Sequence, residues 1–295
     1  MDDLLYIEES FQDNIKECSD PESVSEWARF GIFLGHRFLI EIRKRRLLFP
    51  SFVKNLKDDG SPATLFEDSL EIYAREKLHN FYPDAGYIGE ESGDLSNSEE
   101  IILIVDPIDG TRSFLSGFDS YAVTISILKN KKPLFSLVCA PSTGDIGYRI
   151  DSQKSKLFQS KNSFEDIKLL DLPLMTEKEH LLVNIHPSKS AGPIIKKLYH
   201  HWNQKDISLV RSVSGSPSLM LLEVARGCGV YINTWDKGKT DPFDILPALH
   251  LLQGCGGVII DKNSNSIDPW NHEGLFLAGL DKQQLIKLLS FITYA

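Results

Sequence analysis

The sequence predicts an α/β (α+β) protein, and three patterns carry that prediction. Ile101 to Val105 is an unbroken aliphatic run of strand length, the composition of a strand buried on both faces at the centre of a sheet. The apolar runs Tyr121 to Leu128 and Pro133 to Ala140, joined by Lys129-Asn130-Lys131-Lys132, read as a hairpin. From Leu181 onward, strand-length and helix-length segments alternate, as in an α/β layer.

Taken in order, Pro21 to Arg46 places Trp27, Phe30, Phe33, Leu34, Phe38 and Ile42 at helical spacing after a Ser/Pro start. Ser51 to Asp59 alternates weakly and ends at the turn signal Asp59-Gly60-Ser61-Pro62. Leu65 to Phe81 returns to the helical period, and Thr64 stands three residues before Glu67, the spacing of a capping box. Tyr82-Pro83-Asp84-Ala85-Gly86 breaks that helix. Tyr87 to Ser92 then reads as a short strand ending in two adjacent acids. Neighbouring strand side chains alternate faces, so at most one of Glu90 and Glu91 would aim at a common site.

Gly147 to Ile150 and Ser155 to Gln159 continue the antiparallel pattern, which makes the first half two helices followed by a sheet. The second half reads as strand 181–185, helix 193–202, strand 209–213, helix 216–226, strand 231–233, helix 242–252, strand 256–260 and helix 281–291. Ser216 is the N-cap of its helix with Pro217 at the first helical position, and Asp244 stands near the start of the 242–252 helix. The division falls near Lys161: an α+β half over 1–160 and an α/β half over 161–295.

Composition narrows the function. A chain of 295 residues that is 42% hydrophobic and 25% charged can bury a large core as an ordinary globular protein. Its formal net charge of -9 argues against nucleic acid as the main partner, and the short run Arg43-Lys44-Arg45-Arg46 reads as the solvated end of a helix. Cys18, Cys139, Cys228 and Cys255 show no CxxC spacing, which suggests neither a zinc site nor a disulfide framework and fits a reducing cytoplasm. The apolar stretch Phe30 to Ile42 is interrupted by His36 and Arg37 and is too short to span a bilayer, and the acidic N-terminus carries no export signal. No membrane partner is expected.

The chemistry concentrates in IILIVDPIDGTRSF, residues 101–114. After the aliphatic run, Pro107 and Gly110 force a tight turn that fans Asp106, Asp109 and Thr111 out at one point. Two carboxylates there repel each other unless a cation sits between them. Oxygen-only ligands, with the Ile108 carbonyl as a further donor, suit a hard divalent ion such as Mg2+. Taken alone, the DxxD pattern is equally that of an acidic β-turn without a metal. Glu90 and Asp244 add two further candidate ligands, and two ions roughly 3.5–4 Å apart could clamp a phosphate and activate water for in-line attack.

The set Gly89-Glu90-Glu91-Ser92, Asp106-Pro107-Ile108-Asp109-Gly110-Thr111 and Pro242-Phe243-Asp244 before Gly256-Gly257 resembles the inositol monophosphatase family. The resemblance takes in Asp59 to Thr64 and Gly215-Ser216 and covers roughly residues 25–290. It implies a layered α-β-α-β-α sandwich packed as one compact unit with the active site between the two halves, a homodimer, two or three Mg2+ ions per site, inhibition by lithium, and a small-molecule phosphate ester as substrate. By the same resemblance Glu90, Asp106 and the Ile108 carbonyl would hold one ion, and Asp106, Asp109 and Asp244 another. Glu91 would orient a water of the metal site, and Gly110 and Thr111 amides would bind phosphate oxygens, with Gly215 and Ser216 also placed on the phosphate side. The Thr111 hydroxyl, paired with an acid from the Thr64 segment, would position or deprotonate the attacking water.

The chain departs from the family pattern at three points. The acid after Thr64 is usually Asp, whereas counting back from Gly89-Glu90 lands on Glu67, one methylene longer. The third motif usually reads Trp-Asp; Trp235-Asp236 imitates it, but Asp244 has the right spacing to Gly256-Gly257, with Phe243 in place of the tryptophan. The segment Asn233 to Asp241 is longer than usual and lacks the glutamate that contacts inositol hydroxyls, with Thr234 or Lys237 falling there. Arg112 after the threonine is similar to the histidinol-phosphatase subgroup, though it equally fits a surface salt bridge. Four readings remain: an inositol-phosphate type phosphatase, a histidinol-phosphate phosphatase, a 3'(2'),5'-bisphosphate nucleotidase, and a non-catalytic regulatory protein on this fold.

Overall fold

The computed structural model describes residues 16–45, 53–56, 62–95, 100–160, 167–174, 180–184, 191–205, 207, 209–213, 215–234 and 241–293. Its first part runs α1 (Val24–Arg45), β1 (Val53–Leu56), β2 (Pro62–Thr64), α2 (Leu65–Phe81), β3 (Gly86–Gly89), β4 (Gly93–Asp94) and β5 (Ile101–Asp109). Next come α3 (Thr111–Leu115), β6 (Ala122–Lys129), β7 (Lys132–Ala140), β8 (Asp145–Ile150), β9 (Lys156–Gln159) and β10 (Leu170–Asp171). The remainder is β11 (His180–Asn184), α4 (Ala191–Asn203), β12 (Leu209–Val213), α5 (Pro217–Ala225), β13 (Val230–Asn233), α6 (Pro242–Gly254), β14 (Val258–Asp261), β15 (Phe276–Gly279) and α7 (Lys282–Thr293).

Eight strands form one sheet in the order β10-β9-β8-β7-β6-β5-β3-β4, antiparallel except for the parallel pair β3 and β5. Five form another in the order β12-β11-β13-β15-β14. Helices α1 and α2 cover one face of the larger sheet, α5 and α6 fill the space between the sheets, and α4 and α7 cover the outer face of the smaller one. The result is a layered α-β-α-β-α sandwich.

Alternation along the strands produces this layering. On β13, Val230 and Ile232 join the apolar cluster under α4 and α7, while Tyr231 between them joins the cluster around α5 and α6. On β5, Leu103 and Val105 pack toward α1 and α2, and Ile102 and Ile104 pack toward Leu246 of α6. A strand buried on both faces must read as a continuous aliphatic run, which is why 101–105 does.

Most expected elements are present, with corrections at their ends. The strand at 101–105 does not stop at Asp106: of the residues read as a turn, Asp106 to Asp109 continue the strand through an irregularity, Gly110 caps the next helix, and Thr111 opens α3. Strand β3 stops at Gly89, so Glu90 and Glu91 lie in a turn. Strand β15, unforeseen, inserts antiparallel between β13 and β14. The β6–β7 hairpin turns on Asn130 and Lys131, both with positive φ (50° and 64°), as a tight two-residue turn requires. The turn at Asp59 to Ser61 and the Trp235-Asp236 pair lie outside the described residues. Lys44 and Arg45 of the basic run pair with Glu41 at the end of α1, and Arg43 donates to the Pro141 carbonyl at 2.7 Å. Among the described residues no helix is long and apolar enough to cross a membrane.

One buried histidine in this core gives a stability prediction. His250 on α6 is buried, with Nδ1 3.0 Å from the Ser136 hydroxyl and Nε2 2.9 Å from the Asp151 carbonyl. Burial, then the neighbouring Arg149 guanidinium, holds its pKa down at about 4 against an ordinary 6.5. The unfolded chain therefore takes a proton below 6.5 that the folded chain refuses. Stability should fall as pH drops from 6.5 toward 4, by about 1.4 kcal/mol per unit at most and about 3 kcal/mol in all. Urea unfolding at pH 7 and pH 5 should show this slope in the native protein and a flatter one in His250→Gln.

Candidate active site

The irregularity in β5 builds the first part of the site. Asp106 pairs with Thr124 of β6 and Asp109 with Ala122, so β5 carries one residue more than its partner between these two points. In a regular strand, side chains three residues apart point to opposite faces; one extra residue restores a common face. Pro107, which has no N–H to give to the ladder, sits in the bulge. One carboxylate oxygen from each of Asp106, Asp109 and Asp244 lies within 4.8 Å of the others, so this trio could hold a cation. Asp106 Oδ1 also accepts the Ile108 N–H at 2.8 Å, which pins its rotamer.

A second trio forms beside it. Oxygens of Glu67, Glu90 and Glu91 also lie within 4.8 Å of one another. The alternation rule that admitted only one of Glu90 and Glu91 does not apply, because β3 has ended and the turn carries both acids to the same place. Glu67 occupies the third position of α2 and completes the capping box: the Glu67 N–H donates to Thr64 Oγ1 at 3.1 Å, and the Thr64 N–H donates to Glu67 Oε2 at 3.0 Å. Its other oxygen, Oε1, accepts the Thr111 hydroxyl at 2.7 Å. The extra methylene of Glu67 is thus accommodated by a side chain that curls back over its own helix start. Thr111 Oγ1 also lies 3.2 Å from the Ile108 carbonyl, the longer of its two acceptor contacts.

Helix α5 ties the acids of the first trio together. Ser216 Oγ donates to Asp109 Oδ2 at 2.5 Å and accepts the Leu219 N–H at 2.8 Å, while the Ser218 N–H donates to the same Asp109 oxygen at 2.9 Å. The Ser218 hydroxyl donates to the Asp244 carbonyl, and Thr124 Oγ1 donates to the Phe243 carbonyl at 2.8 Å. The Ser216 hydroxyl is thus committed within the protein: its proton holds Asp109, and its lone pair caps α5. Gly215 and Gly110 serve the same junction, with φ of +99° and +95°, and a Cβ would come within 2.0 Å of the Ser120 carbonyl and 2.9 Å of the Ser216 nitrogen respectively. Arg112 is exposed on α3.

The electrostatics favour a bound cation. Burial first, then the negative charges of Glu90, Asp109 and Asp244, raises the Asp106 pKa well above the usual carboxylate range. Burial and the charges of Asp109 and Glu90 do the same to Asp244. Asp109 is pushed to about 6 by burial, against the opposing hydrogen bonds from Ser216 and Ser218. Glu67 is pushed to about 8, by burial and by Glu90 and Glu91. Six acids gathered into two oxygen-only groups match the donor chemistry of a hard divalent ion.

Thr234 is buried, and its hydroxyl donates to the Asn184 carbonyl at 2.5 Å, so no carboxylate stands at that point of β13's exit. Lys237 lies outside the described residues. Sequence reading missed Ser218 and Glu71. Glu71 follows Glu67 by four residues, hence on the same helix face, a spacing that could have disclosed it.

The layers and the two carboxylate trios define a layered α/β protein with two groups of acids that could hold a hard cation. A model of the inositol monophosphatase family matches residues 35–294. The 3'(2'),5'-bisphosphate nucleotidase CysQ of Haemophilus influenzae is 26% identical over 216 residues, 70% of this chain and 75% of its own. The fructose-1,6-bisphosphatase/inositol-1-monophosphatase of Thermotoga maritima is 21% identical over 240 residues, 79% of this chain and 87% of its own. Among solved structures, the extragenic suppressor protein SuhB of Bartonella henselae superposes with a TM-score of 0.73 at 16% identity, covering 90% of this chain and 98% of its own, a likeness of fold. The chain belongs to the inositol monophosphatase family, a family of phosphatases.

Proposed function

We propose that this chain is a Mg2+-dependent phosphomonoesterase that hydrolyses a small phosphorylated polyol such as inositol 1-phosphate by direct attack of water. The observation that carries the reading is the 2.7 Å hydrogen bond from the Thr111 hydroxyl to Glu67, set where a buried acid of the second trio meets the helix that follows Asp109. Asp106, Asp109 and Asp244 would hold one Mg2+, and Glu90 with Asp106 and the Ile108 carbonyl another; a third is open to Glu67, Glu90 and Glu91. Bound Mg2+ supplies a Lewis acid for the phosphate oxygens and makes water a better nucleophile near neutral pH.

The protein's own groups do the rest. Thr111 gives its proton to Glu67, which leaves its oxygen lone pairs to accept from a water and aim it at phosphorus. Glu91, in the same trio as Glu67, would orient a water of the metal site. Gly110 and Thr111 amides, at the start of α3, and the Arg112 guanidinium would receive the phosphate oxygens. The ligands come from both sides of residue 160, so the site would lie between the halves 1–160 and 161–295 of one compact unit. A homodimeric state, inhibition by lithium and a cytoplasmic location belong to the same proposal.

The alternative substrates are a 3'(2'),5'-bisphosphate nucleotide and histidinol phosphate. The lack of an acid to bind a polyol ring, with Thr234 or Lys237 falling at that point, favours them. Phosphate release should be compared across inositol 1-phosphate, histidinol phosphate, 3'-phosphoadenosine 5'-phosphate and fructose 1,6-bisphosphate. A preference of about a hundredfold in kcat/KM, roughly 2.7 kcal/mol, names the substrate. Mg2+-dependent release from none of the four would point to a different phosphate ester or to the regulatory, non-catalytic reading.

A further inference from the structure

We infer that Glu71 is a positioning residue that sets the turn carrying Glu90 and Glu91, so that both acids face the cation site. The inference rests on the proposed metal site. Glu71 is fully buried on α2, one turn beyond Glu67, yet it is not a member of either trio. Its carboxylate is used on backbone instead. Oε1 accepts the Glu91 N–H at 2.8 Å, and Oε2 accepts the Ser92 N–H at 3.0 Å and the Ser92 hydroxyl. Three donors converging on one buried anion are charge-assisted bonds, the stronger kind, and they satisfy it without a cation.

Gly89 makes the approach possible. A Cβ there would lie 2.3 Å from Glu71 Oε2, 2.6 Å from its Cδ and 2.7 Å from Oε1, inside the carboxylate itself. The clamp therefore flanks the two acids: glycine before them to admit Glu71, serine after them to bind it, and two consecutive peptide N–H groups fixed in direction. Fixing those peptides fixes the Cα–Cβ vectors of Glu90 and Glu91, which a continuing strand would have sent to opposite faces. The Gly-Glu-Glu-Ser run thus has a physical reading in which only its middle residues face the cation.

The test is calorimetric titration of the metal-stripped protein with Mg2+, alongside the Mg2+ dependence of phosphate release. Glu71→Gln keeps the shape and one acceptor oxygen but turns an amide N–H toward the donors of residues 91 and 92. We expect Mg2+ to bind about 10–100-fold more weakly, with the Mg2+ concentration for half-maximal rate rising in step and kcat at saturating Mg2+ near the native value. Ser92→Ala, which removes one of three donors, should show a smaller loss in the same direction and decides the matter if Glu71→Gln fails to fold. Glu76→Gln, exposed one turn further along α2, controls for the lost charge and should bind as the native protein does. Native-like Mg2+ affinity in both clamp variants, even with a lowered melting temperature, would reduce Glu71 to a structural role and overturn the inference. No Mg2+ binding by the native protein would overturn the metal site itself, and the inference with it.

Discussion

Asp106→Asn should abolish turnover while leaving a metal-free protein that is folded and melts higher than the native one. The two halves of that result come from the same carboxylate. Asp106 is 1% exposed, and the negative charges of Glu90, Asp109 and Asp244 crowd around it. Removing one charge from that cluster relieves repulsion in the absence of a cation. Asparagine keeps an oxygen for the Ile108 N–H, so the bulge that aligns residues 106 and 109 survives. What it loses is the ionic ligand shared by both proposed ions. A divalent ion at a phosphoryl centre contributes several kcal/mol to the transition state, so the rate should fall by about 10^3-fold or more. Phosphate release and thermal unfolding in EDTA check the two parts separately. A variant that melts lower than native and retains its rate would contradict the proposed ligand set.

Thr111→Val should lower kcat by about 10^2–10^4-fold and leave KM for the ester near its native value. Valine fills the volume of threonine and keeps the start of α3, but it cannot receive a proton from water or give one to Glu67. The substrate contacts proposed for this segment are backbone amides, which the substitution leaves in place. A rise in KM with kcat preserved, measured by steady-state phosphate release, would assign Thr111 to binding.

Much of this site is legible from local rules, and what is not legible is non-local. The capping box of Thr64 and Glu67, the N-cap at Ser216 and the helix opening with Asp244 follow from spacing within a few residues, and the structure shows all three. The aliphatic run of β5 announces a doubly covered strand. Its continuation through Pro107 does not, because a bulge is defined by the partner strand and looks like a turn when β6 is out of sight. The grouping of Glu91 with Glu90 was hidden for a related reason: the turn is shaped by Glu71, some twenty residues earlier on α2. The bond from Ser216 to Asp109 is equally non-local, because it joins the N-cap of α5 to a carboxylate brought from β5. Strand β15 is too short a run, 276–279, to stand out before β13 and β14 are known to flank it.

The central claim, that the carboxylate trios hold divalent ions used in phosphate-ester hydrolysis, is tested most directly by phosphate release from inositol 1-phosphate and 3'-phosphoadenosine 5'-phosphate. The release is measured with Mg2+, with EDTA, and again after excess Mg2+ is restored. Release from at least one ester that requires Mg2+, stops in EDTA and returns with the ion, and that Asp106→Asn lacks throughout, is the predicted result. Release that persists undiminished in EDTA, or that Asp106→Asn retains, would contradict it.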